Sequence, residues 1–468
     1  MTYNVTSKKA AEFINHEEII ATLAWADENR ENQTVISQII KKAQKKKGLN
    51  HREASLLLIA GKWSELSALA KQLKAEFYGN RIVLFAPLYL SNHCVNSCVY
   101  CPYCLSNVSM VRKKLSQEEI SREVVALQDM GHKRLVIEAG EHPIYASIDY
   151  ITESIETIYN IKHKNGAIRR VNVNIAATGV GDYKKLHDAG IGTYILFQET
   201  YNRTRYEVLH PKGPKSDYDY HTEAMDRAME GGIDDVGIGV LFGLADYRYE
   251  FAAMLMHAEH LEATYGVGPH TISVPRIITD DGSGIEDFGY SISDEVFARI
   301  IACIRISAPY TGIIVSTRET EVCRRAVLDV GVSQISGGSR TSVGGYEHDE
   351  ITNTKQFMTR DNRSLKEVVS WLMEIGYIPS FCTACYKEGR TGDRFMELCK
   401  SGQIQNFCLP NSLMTLQEYL LDYADAETKM LGEKLIAQEI LHITSERTKK
   451  IVAEHLEKIK TGSRDFRI

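Results

Sequence analysis

The cysteines are the residues whose spacing most clearly predicts chemistry. The chain contains ten of them, and eight fall into two groups of four. In the first group, Cys94, Cys98 and Cys101 follow a C-x3-C-x2-C spacing, so one short loop carries three soft thiolates. Such a set can bind three irons of a cubane iron–sulfur cluster and leave its fourth iron open. A zinc site or a chance spacing is the alternative, and Cys104 is either a fourth ligand or a bystander.

The second group has a different spacing but offers the same chemistry. Cys382-x2-Cys385-x22-Cys408 can again bind three irons, and a zinc site with Cys399 as fourth ligand stays open. A long chain without a secretion signal keeps its thiols reduced in the cytosol, so both groups favour metal binding over disulfides. We expect the isolated Cys303 to be packed in a hydrophobic core.

The elements that position the first cysteine group are predicted by a repeating pattern. Short β-rich runs alternate with amphipathic helical stretches, which is typical of βα units around a parallel sheet. We count eight strands, at residues 81–90, 134–140, 170–177, 193–200, 235–242, 270–277, 312–319 and 332–338. The sequence therefore predicts an α/β fold, a (β/α)8 barrel of the TIM type, in which ligands bind where the strands end.

Helical segments extend this barrel at both ends of the chain. We predict an N-terminal helical extension over 1–80, the barrel over 81–345, and a C-terminal region with the second cysteine group and several helices over 346–468. Ser116 with Glu119 predicts a helix-capping box.

Composition excludes some classes of function. The hydrophobic content of 44%, the charged content of 25% and the net charge of -6 are ordinary for a globular enzyme and do not favour a nucleic-acid partner. The N-terminus lacks the apolar core of a signal peptide, and no run reaches the roughly 18 apolar residues of a membrane span. We therefore expect a cytoplasmic protein with no nucleic-acid or membrane partner.

The first triad, with an aromatic residue just before its last cysteine, resembles the motif of the radical S-adenosylmethionine (SAM) superfamily. The resemblance implies that the triad binds a [4Fe–4S] cluster whose open iron binds the amino and carboxylate groups of SAM. One electron then yields methionine and the 5′-deoxyadenosyl radical. The positions that match cofactor-binding segments of the superfamily are Tyr100, Gly140, Glu141, Glu199, His221, Gly239 and Leu241.

Each of these positions has an expected role by resemblance. Gly140 and Glu141 end a segment similar to the GGE motif, whose backbone binds the methionine amino group. Glu199 matches an acidic position that meets the amino or ribose groups of SAM. His221 falls where related enzymes often carry an arginine, and Gly239 lies in a segment that lets adenine approach the backbone.

Longer segments resemble the HydG family of hydrogenase maturases, which are tyrosine lyases. Among them are RRVNVNIAAT, GTYILFQETY, GPHTISVPR and GYIPSFCTACY. This resemblance implies a second [4Fe–4S] cluster on Cys382, Cys385 and Cys408. It also implies that His270 binds a labile fifth iron, with bound cysteine, at this auxiliary cluster.

The resemblance further implies a reaction. Hydrogen is abstracted from the amino group of L-tyrosine, and the Cα–Cβ bond breaks to give p-cresol, by way of a 4-oxidobenzyl radical, and dehydroglycine. Dehydroglycine then yields carbon monoxide and cyanide, which collect on iron for the H-cluster of an [FeFe]-hydrogenase. The implied partners are a low-potential electron donor such as ferredoxin and the maturases HydE and HydF. We expect Arg318, after the seventh strand, or Arg340, after the eighth, to bind the tyrosine carboxylate.

Two other functions stay open. A ThiH-like tyrosine lyase would release dehydroglycine for thiazole synthesis, although ThiH lacks the second cysteine triad. A non-catalytic electron carrier or scaffold with two cubanes is the other. Pro102-Tyr103-Cys104 and Cys399 depart from the HydG pattern, which leaves the immediate surroundings of the clusters open.

Overall fold

The computed structural model describes residues 2–278, 287–348 and 354–468. Five helices form the N-terminal part: α1 (Ala10–Phe13), α2 (His16–Asn29), α3 (Gln33–Ala43), α4 (His51–Ala60) and α5 (Trp63–Tyr78). The side chains of Asn15, Asn32 and Asn50 cap α2, α3 and α4 by accepting backbone N–H groups that have no partner within the helix. The chain then enters the first strand directly.

Eight parallel strands close into a barrel, which confirms the predicted fold. Including three strands outside the barrel, the strands of the described residues are, in chain order, β1 (Arg81–Ser91), β2 (Arg134–Ala139), β3 (Lys162–His163), β4 (Gly166–Ala167), β5 (Arg170–Asn174), β6 (Tyr194–Ile195), β7 (Val236–Gly239), β8 (Thr271–Ser273), β9 (Gly312–Val315), β10 (Gln334–Ser336) and β11 (Ile378–Ser380). The barrel order is β1-β2-β5-β6-β7-β8-β9-β10, and β10 pairs with β1 to close it. β3 and β4 form a separate antiparallel hairpin.

The helices between the strands cover the outside of the barrel. They are α6 (Gln117–Met130), α7 (Ile148–Asn160), α8 (Val180–Asp188), α9 (Arg203–Leu209), α10 (Tyr218–Thr222), α11 (Ala224–Glu230), α12 (Tyr247–Tyr265), α13 (Asp294–Ser307) and α14 (Glu321–Val330). The predicted capping box of Ser116 and Glu119 is present at the start of α6. The helices α4 and α5 pack on α13, where Cys303 is fully buried, as expected.

The C-terminal region contains the expected helices. It also contains one strand, which the sequence analysis missed. The helices are α15 (Leu365–Glu374), α16 (Ala384–Lys387), α17 (Gly392–Lys400), α18 (Gln405–Asp422), α19 (Ala426–Glu439) and α20 (Glu446–Lys460). The ninth strand of the main sheet, β11, pairs in parallel with Arg81–Val83, the first residues of β1. It has only three residues, one of them proline, which is why periodicity did not reveal it. No helix in the described ranges has the length and apolarity that spanning a bilayer requires.

Side chains of alternate strand residues fill the barrel in layers, as in other (β/α)8 barrels. Arginines begin three neighbouring strands and form the layer at the base. The middle layer is an apolar cluster of Phe85, Val136, Ile195 and Ile314. Above it the lumen opens into a cavity at the carboxyl ends of the strands. The first cysteine group follows β1 at this upper end.

Candidate active site

The loop that carries the first triad is fixed by one arginine. Arg112 donates hydrogen bonds to the backbone carbonyls of Asn92 (2.7 Å), Tyr103 (2.9 Å) and Cys104 (2.6 Å). Since one rigid guanidinium joins both ends of the loop, the three thiols keep a fixed arrangement at the end of β1. Cys104 belongs to this scaffold through its carbonyl oxygen.

The thiols of the first triad are suited to metal binding. Burial and the neighbouring thiols raise the pKa of Cys101 well above its usual value, and burial raises the pKa of Cys98 to about 11. Without a metal these thiols are protonated, and the iron ions of a cluster would displace their protons.

The spacing of ligand atoms distinguishes a cluster from a single ion. A tetrahedral zinc ion would bring thiolate sulfurs to about 3.8 Å from one another. Within the part of the chain that the structure describes, only Asp294, Glu319 and Cys323 bring three potential ligand atoms within 4.8 Å of one another. Neither cysteine triad brings its three sulfur atoms within that distance of one another, as a single tetrahedral ion would; in a cubane each thiolate binds a different iron.

The upper cavity brings together ten of the twelve residues that the sequence analysis placed at the SAM and tyrosine sites or in the first triad. These ten line the cavity: Cys94, Cys98, Tyr100, Cys101, Gly140, Glu141, Glu199, His221, Leu241 and Arg318. Side chains from β1, β2 and β5 contribute Tyr89, Glu138 and Asn174 to the same wall. The cavity therefore joins the thiol triad to the polar groups expected to bind SAM and substrate.

The end of β2 packs tightly on the cysteine loop. A Cβ atom at Gly140 would lie 2.5 Å from the carbonyl oxygen of His93 and 3.2 Å from Cβ of Cys94, so only glycine fits there. The carbonyl oxygen of Glu141 accepts a hydrogen bond from Val95 (2.8 Å), and its carboxylate accepts one from Asn96 (2.5 Å). These two positions hold the loop against the barrel.

Glu199 and Lys215 form a buried ion pair beside the triad. Glu199 has a φ of 67°, a strained conformation for a residue other than glycine, and its carboxylate lies 2.8 Å from Nζ of Lys215. Burial opposes the charge on Lys215, but Glu199 and Cys98 outweigh it and raise the pKa of the ammonium group. The sequence analysis missed Lys215, because a lysine in a 3-10 turn of three residues (Pro214–Ser216) carries no spacing signal.

Two aromatic side chains have hydrogen-bond partners at the cavity wall. The hydroxyl of Tyr100 lies 2.8 Å from Nε2 of His210. Nε2 of His221 donates to the carbonyl oxygen of Phe197 (2.9 Å), and burial lowers the pKa of His221 well below its usual value. His221 therefore presents a neutral imidazole to the cavity.

Arg318 and Glu138 mark the part of the cavity nearest the apolar layer. The Arg318 guanidinium lies 4.1 Å from the centroid of the Phe357 ring. Burial raises the pKa of Glu138 to about 8, and Asn174 donates a hydrogen bond to its carboxyl group (3.2 Å). Glu138 is thus protonated at neutral pH and titrates close to it, which is typical of a group that exchanges protons with a substrate.

The structure does not bring two of the predicted residues to the cavity. Gly239 is explained by its neighbouring strands, since a Cβ atom there would lie 2.6 Å from the Phe197 ring and 2.8 Å from the carbonyl oxygen of Ser273. Arg340 is exposed, and its backbone N–H donates to the hydroxyl of Tyr346 (3.0 Å). Of the two arginines predicted to bind the tyrosine carboxylate, only Arg318 faces the cavity.

The second triad lies at the opposite end of the barrel. Cys382 and Cys385 follow β11, which pairs with the start of β1, and Cys408 lies in α18. Burial raises the pKa of Cys408 to about 12. The charge of Arg81, the first residue of β1, opposes part of this rise. Cys399 is buried beside this triad, where burial and the neighbouring Cys408 raise the pKa of its thiol well above its usual value, so a fourth thiol is present.

Polar groups without hydrogen bonds surround the second triad. Nε of Arg81 and Nε of Arg134 are buried and have no hydrogen-bond partner among the described residues; Nδ1 of His270 makes no hydrogen bond but lies 3.4 Å from a carboxylate oxygen of Asp235. Burial lowers the pKa of His270 well below its usual value, so its imidazole is neutral. Unpaired buried donors are costly, and their convergence on three thiols fits a site for an anionic metal centre. The sequence analysis predicted His270 but missed both arginines, which resemble ordinary strand residues.

Comparison with known proteins agrees with this geometry. Residues 88–255 match the model of the Radical SAM superfamily, and residues 273–378 match the Biotin and Thiamin Synthesis associated domain. The barrel and the first triad thus define a radical SAM enzyme, a class whose members bind a [4Fe–4S] cluster and SAM.

Individual relatives narrow the class. The chain is 31% identical over 322 residues to a 2-iminoacetate synthase of Escherichia coli. This alignment covers 68% of this chain and 82% of the relative. A crystal structure of HydG, described as a maturase of the [FeFe]-hydrogenase, is 53% identical with a TM-score of 0.94 and covers 98% of this chain and 100% of that one. The structure of HydG from Carboxydothermus hydrogenoformans is 38% identical with a TM-score of 0.82, and the match covers 96% of this chain and 99% of that one. The chain belongs to the HydG family of hydrogenase maturases.

Proposed function

We propose that the protein cleaves L-tyrosine to p-cresol and dehydroglycine and converts dehydroglycine to carbon monoxide and cyanide bound on iron. The product would serve the assembly of the H-cluster of an [FeFe]-hydrogenase. The observation that carries this proposal is the presence of two thiol triads at opposite ends of one barrel. One triad suffices to make a radical, and the second supplies a separate place for iron chemistry.

At the upper site, Cys94, Cys98 and Cys101 would hold the first cluster. With SAM bound, that cluster supplies the 5′-deoxyadenosyl radical that takes hydrogen from the substrate amino group. Arg318 is the cation on the cavity wall that can bind the tyrosine carboxylate in bidentate fashion. Glu138, with its pKa of about 8, can exchange a proton with the bound tyrosine. The enclosing barrel excludes water from the reaction.

At the base, Cys382, Cys385 and Cys408 would hold the second cluster. His270 offers a neutral imidazole, which suits a ferrous fifth iron that arrives as cargo with bound cysteine. The unpaired donors of Arg81 and Arg134 can bind the negative charge that cyanide and the cysteine carboxylate bring. A ferredoxin would supply electrons, and HydE and HydF would act in the same assembly.

The test is anaerobic reconstitution with tyrosine, SAM and dithionite, in which p-cresol, carbon monoxide and cyanide are measured together. We expect Cys94→Ala to abolish all three products, because it removes a ligand of the radical-forming cluster. Cys408→Ala should spare p-cresol and suppress carbon monoxide. Cys303→Ala, a buried thiol remote from both triads, is the matched control and should change none of them. Equal loss of p-cresol and carbon monoxide in Cys408→Ala would contradict the proposed division between the sites.

A second candidate function is favoured by the similarity to the 2-iminoacetate synthase of Escherichia coli. In that case the chain would stop at dehydroglycine, which hydrolyses to glyoxylate in water. Stoichiometric p-cresol and glyoxylate without carbon monoxide or cyanide would establish this function. The second triad argues against it, since a synthase that releases its imine product needs no second metal centre.

A further inference from the structure

We propose that an acidic electron-carrier protein of the ferredoxin type docks on the exposed surface around the first cysteine loop. This inference rests on the radical chemistry of the upper site, because that chemistry consumes one electron per SAM cleaved. The docking surface is formed by the segments 95–114, 141–145 and 208–213. It lies on the outer side of the loop whose inner side faces the cavity.

The docking surface is unusually apolar. Fifteen large hydrophobic side chains are exposed in the described parts of the chain, and seven of them lie on these three segments, which make up a small fraction of the sequence. The seven are Val99, Leu105, Val108, Val111, Ile144, Tyr145 and Val208. Val108 is the most exposed, at 97%. Concentrations of exposed apolar side chains of this kind mark protein interaction sites.

Backbone hydrogen bonds join the three segments into one continuous surface. Val95 donates to the carbonyl oxygen of Glu141 (2.8 Å), and Val99 donates to that of Leu209 (2.9 Å). Within the first segment, Leu105 donates to the carbonyl oxygen of Asn96 (2.7 Å). A partner that covers these segments therefore lies directly over the triad, which matters because electron tunnelling slows steeply with distance.

The charge of this region is opposite in sign to that of the whole chain. The chain has a net charge of -6, whereas the three segments contain four cationic side chains, those of Arg112, Lys113, Lys114 and Lys212, and one carboxylate, that of Glu141, which accepts a hydrogen bond from Asn96. Lys113 pairs with Glu119 outside the surface (3.3 Å). Arg112 donates only to backbone carbonyls, so within the described residues no carboxylate neutralises its charge. Lys212 is exposed on the neighbouring segment. A surface with an apolar centre and cationic groups complements a small acidic protein.

The charge also favours a different protein over a second copy of this chain. In a two-fold dimer the same patch would face itself, and Arg112 and Lys212 would approach their own counterparts. An acidic carrier turns this repulsion into attraction and speeds the encounter at low ionic strength. The position over the cluster loop identifies the carrier as an electron donor.

The experiment measures 5′-deoxyadenosine formation by the reconstituted holoenzyme with two reductants. One is dithionite, and the other is a purified acidic [4Fe–4S] ferredoxin kept reduced by NADPH and its reductase and varied in concentration. Val108→Glu and Lys212→Glu change the docking surface without touching the cavity. We expect each to raise the KM for ferredoxin by about tenfold and to leave the dithionite-driven rate within about twofold of the wild type. Met430→Glu, at an apolar position on α19 that is 67% exposed, is the control and should change neither.

The wild-type KM for ferredoxin should also rise with salt, because charge steering is screened. An unchanged KM in both variants would overturn the proposal, and so would equal losses with ferredoxin and dithionite. Sedimentation that shows a wild-type dimer, which the variants convert to monomer with unchanged ferredoxin kinetics, would assign the surface to self-association instead. Failure of tyrosine cleavage is seen separately as absence of p-cresol while 5′-deoxyadenosine still forms.

Discussion

Glu418 offers a decisive test of how the C-terminal region is held on the barrel. It lies on α18, the helix that also carries Cys408, and it is buried in contact with two cations of the barrel. Its carboxylate lies 2.8 Å from Nζ of Lys133 and 2.9 Å from Nη2 of Arg169. Burial opposes its ionisation, but Lys133 and Arg169 outweigh that effect and hold the pKa of Glu418 below its usual value. The perturbation is Glu418→Gln, which removes the charge and keeps the shape.

The magnitude follows from the burial of the partners. The Lys133 side chain is 0% exposed and that of Arg169 is 6% exposed, so neither cation can turn to solvent when the carboxylate is lost. Breaking a buried pair by removing one partner costs about 3–5 kcal/mol, because a charge is left uncompensated. The backbone N–H of Asp465, which donates to Glu418 (2.6 Å), would lose a charged acceptor as well. Arg169 keeps an ion pair with Asp465 (3.3 Å), so the lost compensation falls mainly on Lys133, and we expect the free energy of unfolding to fall by an amount near the lower end of that range.

The assay is guanidinium unfolding of the wild type and the variant, combined with iron analysis after anaerobic reconstitution. Because α18 carries Cys408, the variant should bind less iron than the wild type, and the deficit should approach the content of one cluster. Asp129→Asn is the matched control: its ion pair with Lys164 is 44% and 70% exposed, and it should cost less than about 1 kcal/mol. A loss below about 1 kcal/mol in Glu418→Gln, or full iron content with a large loss of stability, would refute the reasoning.

Two further predictions concern the barrel interior. Burial raises the pKa of Glu138 to about 8 from a usual value of 4.5, so at pH 7 the folded chain retains a proton that the unfolded chain has released. Because the unfolded chain binds fewer protons, the free energy of unfolding falls as the pH rises from about 4.5 to about 8. In denaturant titrations Glu138→Gln should remove this fall and be about 3 kcal/mol more stable than the wild type at pH 7. Identical pH profiles of stability in the two proteins would disprove this explanation. Ile314→Phe should narrow the apolar layer between the two sites, so that p-cresol forms at a near-normal rate while carbon monoxide and cyanide fall together; an unchanged ratio of products would show that nothing passes this layer.

The barrel was predictable from the sequence because its strands and helices leave local patterns in the order of the residues. β1 is a long buried run, and Ser116 and Glu119 mark the start of α6 by a capping pattern that the structure confirms. β11 was not predictable in the same way, because three residues with a proline carry no period, and its pairing with β1 depends on long-range contacts. Local patterns thus predict the repeated units but not the strand that attaches the second triad.

The site shows the same limit. The cysteines were found because three thiols in a short loop have few structural explanations, and Glu199 was found because its segment resembles a known one. Lys215 and Arg81 were missed, since one lies in a short 3-10 turn and the other looks like an ordinary first residue of a strand. Arg340 was the alternative to Arg318 because both follow strands, yet its side chain is exposed while Thr341, Ser342 and Val343 after it are buried. A side chain must follow a strand to line the cavity, but the direction in which it points decides whether it does.

The layered interior would let the two proposed chemistries share one barrel. Inward side chains lie two residues apart, so β1 alone supplies Arg81 to the base, Phe85 to the apolar layer and Tyr89 to the cavity. Eight residues of strand separate the first from the last, which is about 26 Å along the strand. A carbon radical takes hydrogen readily from a thiol, and a second triad placed beside the first would quench it. The strand length and the apolar layer keep the base thiols away from the radical, while a small product needs to cross only one layer of side chains to reach them.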